Sequence, residues 1–185
     1  MRTTVDDGDM VSYRRAYAPG GTWFFTLALA NRRATLLVDH ADVLRDIFLH
    51  VRRRYPFLVH AIAIMPDHLH TVWSLPAGDT DFPGRWRYIK GAFTRQLKKR
   101  GVCIEANAQG EHALWQRRYW EHLITDDGDY ARHVDYIHAN PVKHGYVRAP
   151  GEWPWSSFHA HVRDGRLPAN WMSTMDVGLP VGPVE

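Results

Sequence analysis

Two histidines separated by a single leucine, His68-Leu69-His70, are the first residues from which chemistry can be argued. They lie in Ile62 to Leu75, two apolar runs joined by a Pro66-Asp67 break. Side chains alternate along a strand, so His68 and His70 point one way and Leu69 the other. Such a strand is half core and half site. Two imidazoles on one face could hold a metal ion; the plainer reading is two ordinary strand histidines. A second group stands between Tyr130 and Gly145. Tyr136 and Asn140 are four apart and share a helix face, with Arg132 and His133 one turn earlier. Tyr130, Val134 and Ile137 lie on another face and would pack inward. A tyrosine spared from the core, beside an amide and two cations, is a candidate nucleophile. Its hydroxyl, with a usual pKa of about 10, needs a nearby metal or cation to activate it. Without that context Tyr136 is a packed aromatic residue and Asn140 a helix cap.

The elements that must position these residues follow from pattern. Thr22 to Leu29 is aromatic and bounded by glycine, and reads as the first strand. Val43, Leu44, Ile47, Phe48 and Val51 recur at helical spacing within Val38 to Tyr55, closed by Arg52-Arg53-Arg54 and Pro56. Phe57 to Met65 and His68 to Leu75 are a strand pair around the Pro-Asp break. Ile89, Phe93 and Leu97 mark a second helix from Trp86 to Arg100. Trp115 to Ile124 is the fourth strand-like run. Thr125-Asp126-Asp127 supplies N-cap residues for a third helix, Asp129 to Ala139, which Pro141 should stop. Trp153 to Phe158 is expected to fold back as an aromatic lid. The order strand, helix, strand, strand, helix, strand, helix predicts an α+β fold. This is a ferredoxin-like split β-α-β sandwich, with an antiparallel sheet, helices on one face and an extra C-terminal helix bearing Tyr136. The expected organisation is a flexible tail over 1–12, a single domain over 13–165 and a loosely held tail over 166–185.

Bulk composition sets the frame. The chain has 185 residues, enough for one domain with a real core, and a net charge of +3. Every charged residue between Phe82 and Gly101 is basic. Arg87, Lys90 and Lys98, on the side of that helix away from its apolar stripe, would attract a phosphate backbone. Arg14 and Arg15, set among tyrosines before Pro19-Gly20-Gly21, suit an arm that stacks on bases and pairs with phosphates. Cys103 is the sole cysteine, which rules out an internal disulfide or a cysteine zinc cluster and favours a reducing compartment. No apolar run approaches the roughly 20 residues of a membrane span, and the N-terminus lacks a signal-peptide core. No phosphate-binding glycine loop is present, so no nucleotide cofactor is expected. The chain reads as cytoplasmic.

Met65-Pro66-Asp67-His68-Leu69-His70 resembles the histidine–hydrophobic–histidine motif of the HUH single-strand nucleases. Trp115-Gln116, Trp120-Glu121-His122 and Val134 to Gly145 resemble the REP-associated tyrosine transposases, relatives of the single-tyrosine insertion-sequence transposases. The resemblance runs from about Tyr13 to Phe158. It implies that His68, His70 and Asn140 hold a divalent metal, Mg²⁺ or Mn²⁺, although relatives often carry glutamine where Asn140 stands. It implies that Tyr136 attacks a phosphate in single-stranded DNA, forming a 5′-phosphotyrosine link and releasing a 3′-hydroxyl. The implied partners are hairpins of repetitive extragenic palindromes in the nucleoid, met by a monomer or homodimer. Arg132, His133, Lys143 and His144 are candidate phosphate contacts, and His122 is a rival ligand. Two other readings stay open: a catalytically silent ferredoxin-like nucleic-acid-binding or regulatory module, and a structural zinc site closed by His68, His70 and His122.

Overall fold

The computed structural model of the chain describes residues 17–104 and 114–172. Its elements are β1 (Thr22–Ala28), α1 (Leu36–Asp39), α2 (Ala41–Arg54), β2 (Leu58–Ile64), β3 (His68–Ser74), α3 (Phe82–Lys99), β4 (Trp120–Leu123), α4 (Asp127–Lys143) and α5 (Phe158–Arg163). The strands form one sheet in the order β2-β3-β1-β4, and every pairing is antiparallel. This is the ferredoxin-like arrangement, α+β as expected. Alternation along β1 and β3 sorts their side chains onto two covered faces. Trp23, Phe25, Leu27, Leu69 and Trp73 join Leu44, Phe48, Val51, Trp86, Ile89 and Phe93 of α2 and α3 in one core. Phe24 and Val72 join Ala61, Ala63, Met65, Val134, Tyr136 and Ile137 in a smaller cluster under α4. The two central strands are thus buried on both sides.

Local chemistry sets the helix ends. α3 starts one turn before the expected Trp86, because Asp81 Oδ1 accepts from Gly84 N at 2.8 Å and Pro83 fits the first turn. A Cβ at Gly84 would push the Asp81 carboxylate out of this capping position. The helix expected over Val38–Tyr55 breaks at His40, which ends α1 and precedes α2. β4 is shorter than its apolar run. Trp115 makes only an isolated bridge to Leu29, and Gln116 N donates to Ala28 O at 2.9 Å before the chain leaves the sheet and returns at Trp120. Asp126 caps α4 through Asp129 N at 2.8 Å. Pro141 does not stop α4, which continues to Lys143. Proline removes one amide donor near the helix end, where His144 N still closes onto Asn140 O at 3.0 Å.

The aromatic lid is an edge cover. Ile64 N donates to Trp155 O at 2.9 Å and Ser157 N to Ile62 O at 2.8 Å, closing the free edge of β2. Trp153 Nε1 donates to Ile64 O at 3.0 Å. Residues 166–172 fold back, with Trp171 against Phe158 and His138. Arg14, Arg15, the 1–12 tail and residues 173–185 lie outside the described residues. Among the described residues no helix is long and apolar enough to cross a membrane.

Candidate active site

The β1–β3 register sets the histidine pair. His70 lies opposite Thr26 and His68 opposite Ala28. Thr26 Oγ1 sits 2.8 Å from His70 Nδ1. His68 Nδ1 donates to Asp67 Oδ1 at 2.8 Å, and Arg32 Nε holds the other oxygen of Asp67 at 2.8 Å. Both imidazoles are therefore oriented through Nδ1, which leaves Nε2 as the ring atom a cation would take; this is the usual outer support of metal-binding histidines. Leu69 lies in the apolar core on the other side of the sheet.

The helix supplies the rest by its period. Tyr136 packs on His70 with ring centroids 5.1 Å apart. Two turns on, His144 packs on His68, also at 5.1 Å. Asn140 lies midway on the same stripe, so it faces the pair. It is fully buried, yet neither Asn140 Oδ1 nor Nδ2 has a hydrogen-bond partner among the described residues. A buried amide without a partner is costly, and an oxygen ligand to a cation would satisfy it. Two imidazole nitrogens and one amide oxygen suit a small divalent ion with positions left for phosphate oxygens. Lys143 Nζ stands 4.9 Å from the centre of the Tyr136 ring. Tyr136 is not spared from the core: it is buried in the same cluster as Val134 and Ile137, because the histidine face of the sheet is itself covered by α4.

Beside the pair opens a cleft of about 700 Å³ lined by Thr26, Ala28, Arg32, Gln116, Arg118, Tyr119 and Trp120. Thr26 and Arg32, which support His70 and Asp67, form part of its wall. Two guanidiniums and an exposed indole make it a basic, aromatic-edged groove.

The remaining expected residues are dispersed. His122 does not reach the pair; its Nε2 binds Asp129 Oδ2 at 2.8 Å, so a closed His68–His70–His122 site is not formed. Phe24, opposite His122 in the sheet, packs on both His70 and His133. His133 and Arg132 both turn to Asp129. Burial works to raise the Asp129 pKa, but hydrogen bonds from His122 and Thr125 N and the nearby imidazoles override it and hold the carboxyl at about 2. Burial, partly offset by Asp129, pushes the His133 pKa down. Lys90 donates to Gln116 O at 2.8 Å, and its burial lowers its pKa. Arg87 and Lys98 are exposed on α3, across the sheet from the histidines. Arg85 is buried and fastens Asp79 at 2.6 Å and the Pro56 carbonyl at 2.9 Å. Sequence reasoning missed Asp67, Thr26 and Arg32 as supports. An acid directly before the first histidine was the available signal for Asp67; Thr26 needed the strand register.

Residues 24–140 match the family described as Transposase IS200 like. A REP-associated tyrosine transposase of Escherichia coli (strain K12) is 46% identical over 162 residues, spanning 88% of this chain and 91% of its own. A Haemophilus influenzae relative is 44% identical over 172 residues, 92% of this chain and 98% of its own. The solved structure of a REP-associated tyrosine transposase bound to a REP hairpin superposes with a TM-score of 0.78 at 41% identity, covering 95% of this chain and 100% of that one.

Proposed function

The chain belongs to the IS200-like transposase family as a DNA-cleaving and joining enzyme, and we propose that it cuts and rejoins single-stranded DNA beside repetitive extragenic palindrome hairpins, with Tyr136 as nucleophile. The observation that carries this reading is Tyr136 seated on His70, with the partnerless amide of Asn140 one turn further along. The likeness to a relative solved on a REP hairpin supports the substrate class.

His68 and His70, through Nε2, and Asn140, through Oδ1, would hold Mg²⁺ or Mn²⁺. Bound there, such an ion supplies Lewis acidity that polarises a phosphate oxygen. The chain does the rest. Asp67 and Thr26 keep both rings oriented, and Arg32 fixes Asp67. The cleft of Arg32, Arg118 and Trp120 takes the strand next to the scissile phosphate, the guanidiniums on phosphate oxygens and the indole under a base. Tyr136 Oη gives up its proton to solvent and attacks phosphorus in line. An Oη–P bond forms, the P–O3′ bond breaks, and the leaving oxygen takes a proton to become a 3′-hydroxyl. The Lys143 ammonium favours the phenolate as it develops. Attack of a 3′-hydroxyl on the phosphotyrosine reverses the step. The phosphodiester is exchanged rather than hydrolysed, so no nucleotide is consumed. Contact between Tyr136 and His70 within one chain supports action in cis.

Incubation with a labelled single-stranded hairpin from the host genome and Mn²⁺ tests the proposal. A denaturation-resistant adduct should form with the natural chain and vanish in Tyr136→Phe, while hairpin binding persists. Hairpin binding that EDTA leaves unchanged, with no adduct under any divalent ion, would favour the silent binding module instead.

A further inference from the structure

A second group of ligating side chains is assembled where β4 meets the first turns of α4, and the cleavage chemistry does not use it. His122 Nε2 lies 2.8 Å from Asp129 Oδ2, and His133 Nδ1 lies 3.1 Å from Asp129 Oδ1. One ligand atom from each of the three residues falls within 4.8 Å of the other two. The two imidazoles stack, centroids 4.7 Å apart and planes 18° from parallel, so both turn a nitrogen to the same carboxylate. We propose that His122, Asp129 and His133 bind a divalent transition-metal ion of the zinc class, separate from the site at His68 and His70.

The donor set is the first argument. Two imidazoles and one carboxylate with a fourth position open are a zinc combination, whereas Mg²⁺ and Ca²⁺ prefer oxygen cages. Spacing is the second. Bonds of about 2.0–2.1 Å in a tetrahedron put neighbouring ligand atoms roughly 3.3 Å apart; the two histidine–carboxylate pairs, at 2.8 and 3.1 Å, need open only slightly, and the two imidazole nitrogens lie within 4.8 Å of each other. Access is the third. The Asp129 and His133 side chains are 8% and 17% exposed, while His122 is 35% exposed, so the site opens on one side. Protonation also suits a cation: Asp129 is ionised down to about pH 2, and burial favours neutral His133. Binding would displace the imidazole protons that now face Asp129, and Thr125 N, 3.1 Å from Oδ2, would remain as outer support. Two contacts oppose it: His133 Nδ1 donates to the Asp129 main-chain carbonyl at 2.9 Å, a hydrogen bond that the ion would replace, and the Arg132 guanidinium is 3.4 Å from Asp129 Oδ1, on a side chain that is 61% exposed and can swing away.

The consequence falls on the tyrosine. Asp129, His133, Tyr136 and Asn140 follow one another at helical spacing, so an ion joining His122 to Asp129 and His133 would fasten the helix that carries Tyr136 to β4. The test uses the full chain with His68→Ala and His70→Ala, which removes the first site and makes the outcome independent of the catalytic reading. Equilibrium dialysis against Zn²⁺ should leave one ion per chain, and Co²⁺ loading should give a visible d–d spectrum. Both should disappear on adding Asp129→Asn or His122→Gln. Should that double variant fail to fold, the natural chain and its His122→Gln variant should differ by one retained Zn²⁺. His122→Gln, at a half-exposed position, also decides the matter should Asp129→Asn misfold. Absence of retained Zn²⁺, or retention unchanged by His122→Gln, would overturn the site and leave the cluster as a hydrogen-bonded clamp.

Discussion

On the face of the sheet covered by α2 and α3, Trp73 stacks on Trp86 at 4.0 Å, and Phe25, Phe48 and Phe82 close around them. On the face covered by α4, the buried residues include His68, His70, Asp129, His138 and Asn140. Both faces share the same strands, and β1 and β3 feed alternate residues to each. The apolar face gains from the hydrocarbon and ring surface it hides, at the cost of a few buried indole N–H groups such as those of Trp73 and Trp86. The α4 face hides polar groups whose desolvation must be offset by designed contacts, or is left partly unmet where a ligand is to come. The comparison teaches that the first face holds the sheet firmly enough for the second to keep a costly, chemically poised interior.

The largest expected contrast is in stability. Trp86→Ala empties the centre of the apolar face and should cost about 3–5 kcal/mol, seen as an earlier midpoint in urea. Asn140→Leu should do the reverse on the α4 face. Relief of a partnerless amide is worth up to about 1–3 kcal/mol, so the midpoint should hold or rise while adduct formation is lost. A fall of the Asn140→Leu midpoint comparable to that of Trp86→Ala would erase the distinction between the faces.

Next in size is the support of the histidines. Thr26→Val and Asp67→Asn should each weaken Mn²⁺-dependent adduct formation by roughly 10–100-fold, with little change in the urea midpoint. The acid response should also sort by face. Burial, with the charges of His161 and Arg166 nearby, pushes the His138 pKa from 6.5 down to about 3. The folded value lies below the unfolded one. Its contribution is therefore complete above about pH 6.5 and is lost as pH falls toward 3. The slope should reach about 1.4 kcal/mol per pH unit, and His138→Gln should flatten thermal melts taken across that window. The smallest effect belongs to the far helix. Arg87→Ala and Lys98→Ala, exposed across the sheet from the histidines, should alter stability by less than about 0.5 kcal/mol. A large loss of hairpin binding from either one would bring α3 into the interface.

Much of this was legible in the sequence. The strand and helix order, the pairing of the two strands around Pro66-Asp67 and the common face of His68 and His70 all follow from periods of two and 3.6. The rest depended on contacts between residues far apart in the chain. Burial of Tyr136 could not be read from its helix alone, since a second covered face of the sheet makes that side of α4 interior. Lys90 looked like a free cation because its acceptor, the Gln116 carbonyl, comes from a loop 26 residues away. His122 read as a ligand for the histidine pair because β4's register against β1, which seats it opposite Phe24, is not written in either strand. Pro141 sits in the last turn of α4, where a proline removes only one amide donor and the helix runs on to Lys143.

In the proposed function the chemistry of this protein sits at the meeting of β3 and α4, with Tyr136 as its covalent centre. Proteolysis of the DNA adduct followed by mass spectrometry tests it most directly. The account predicts a 5′-nucleotide on the peptide containing Tyr136 and on no other. A modified peptide bearing Tyr130, Tyr146 or any other tyrosine, with Tyr136 unmodified, would contradict it.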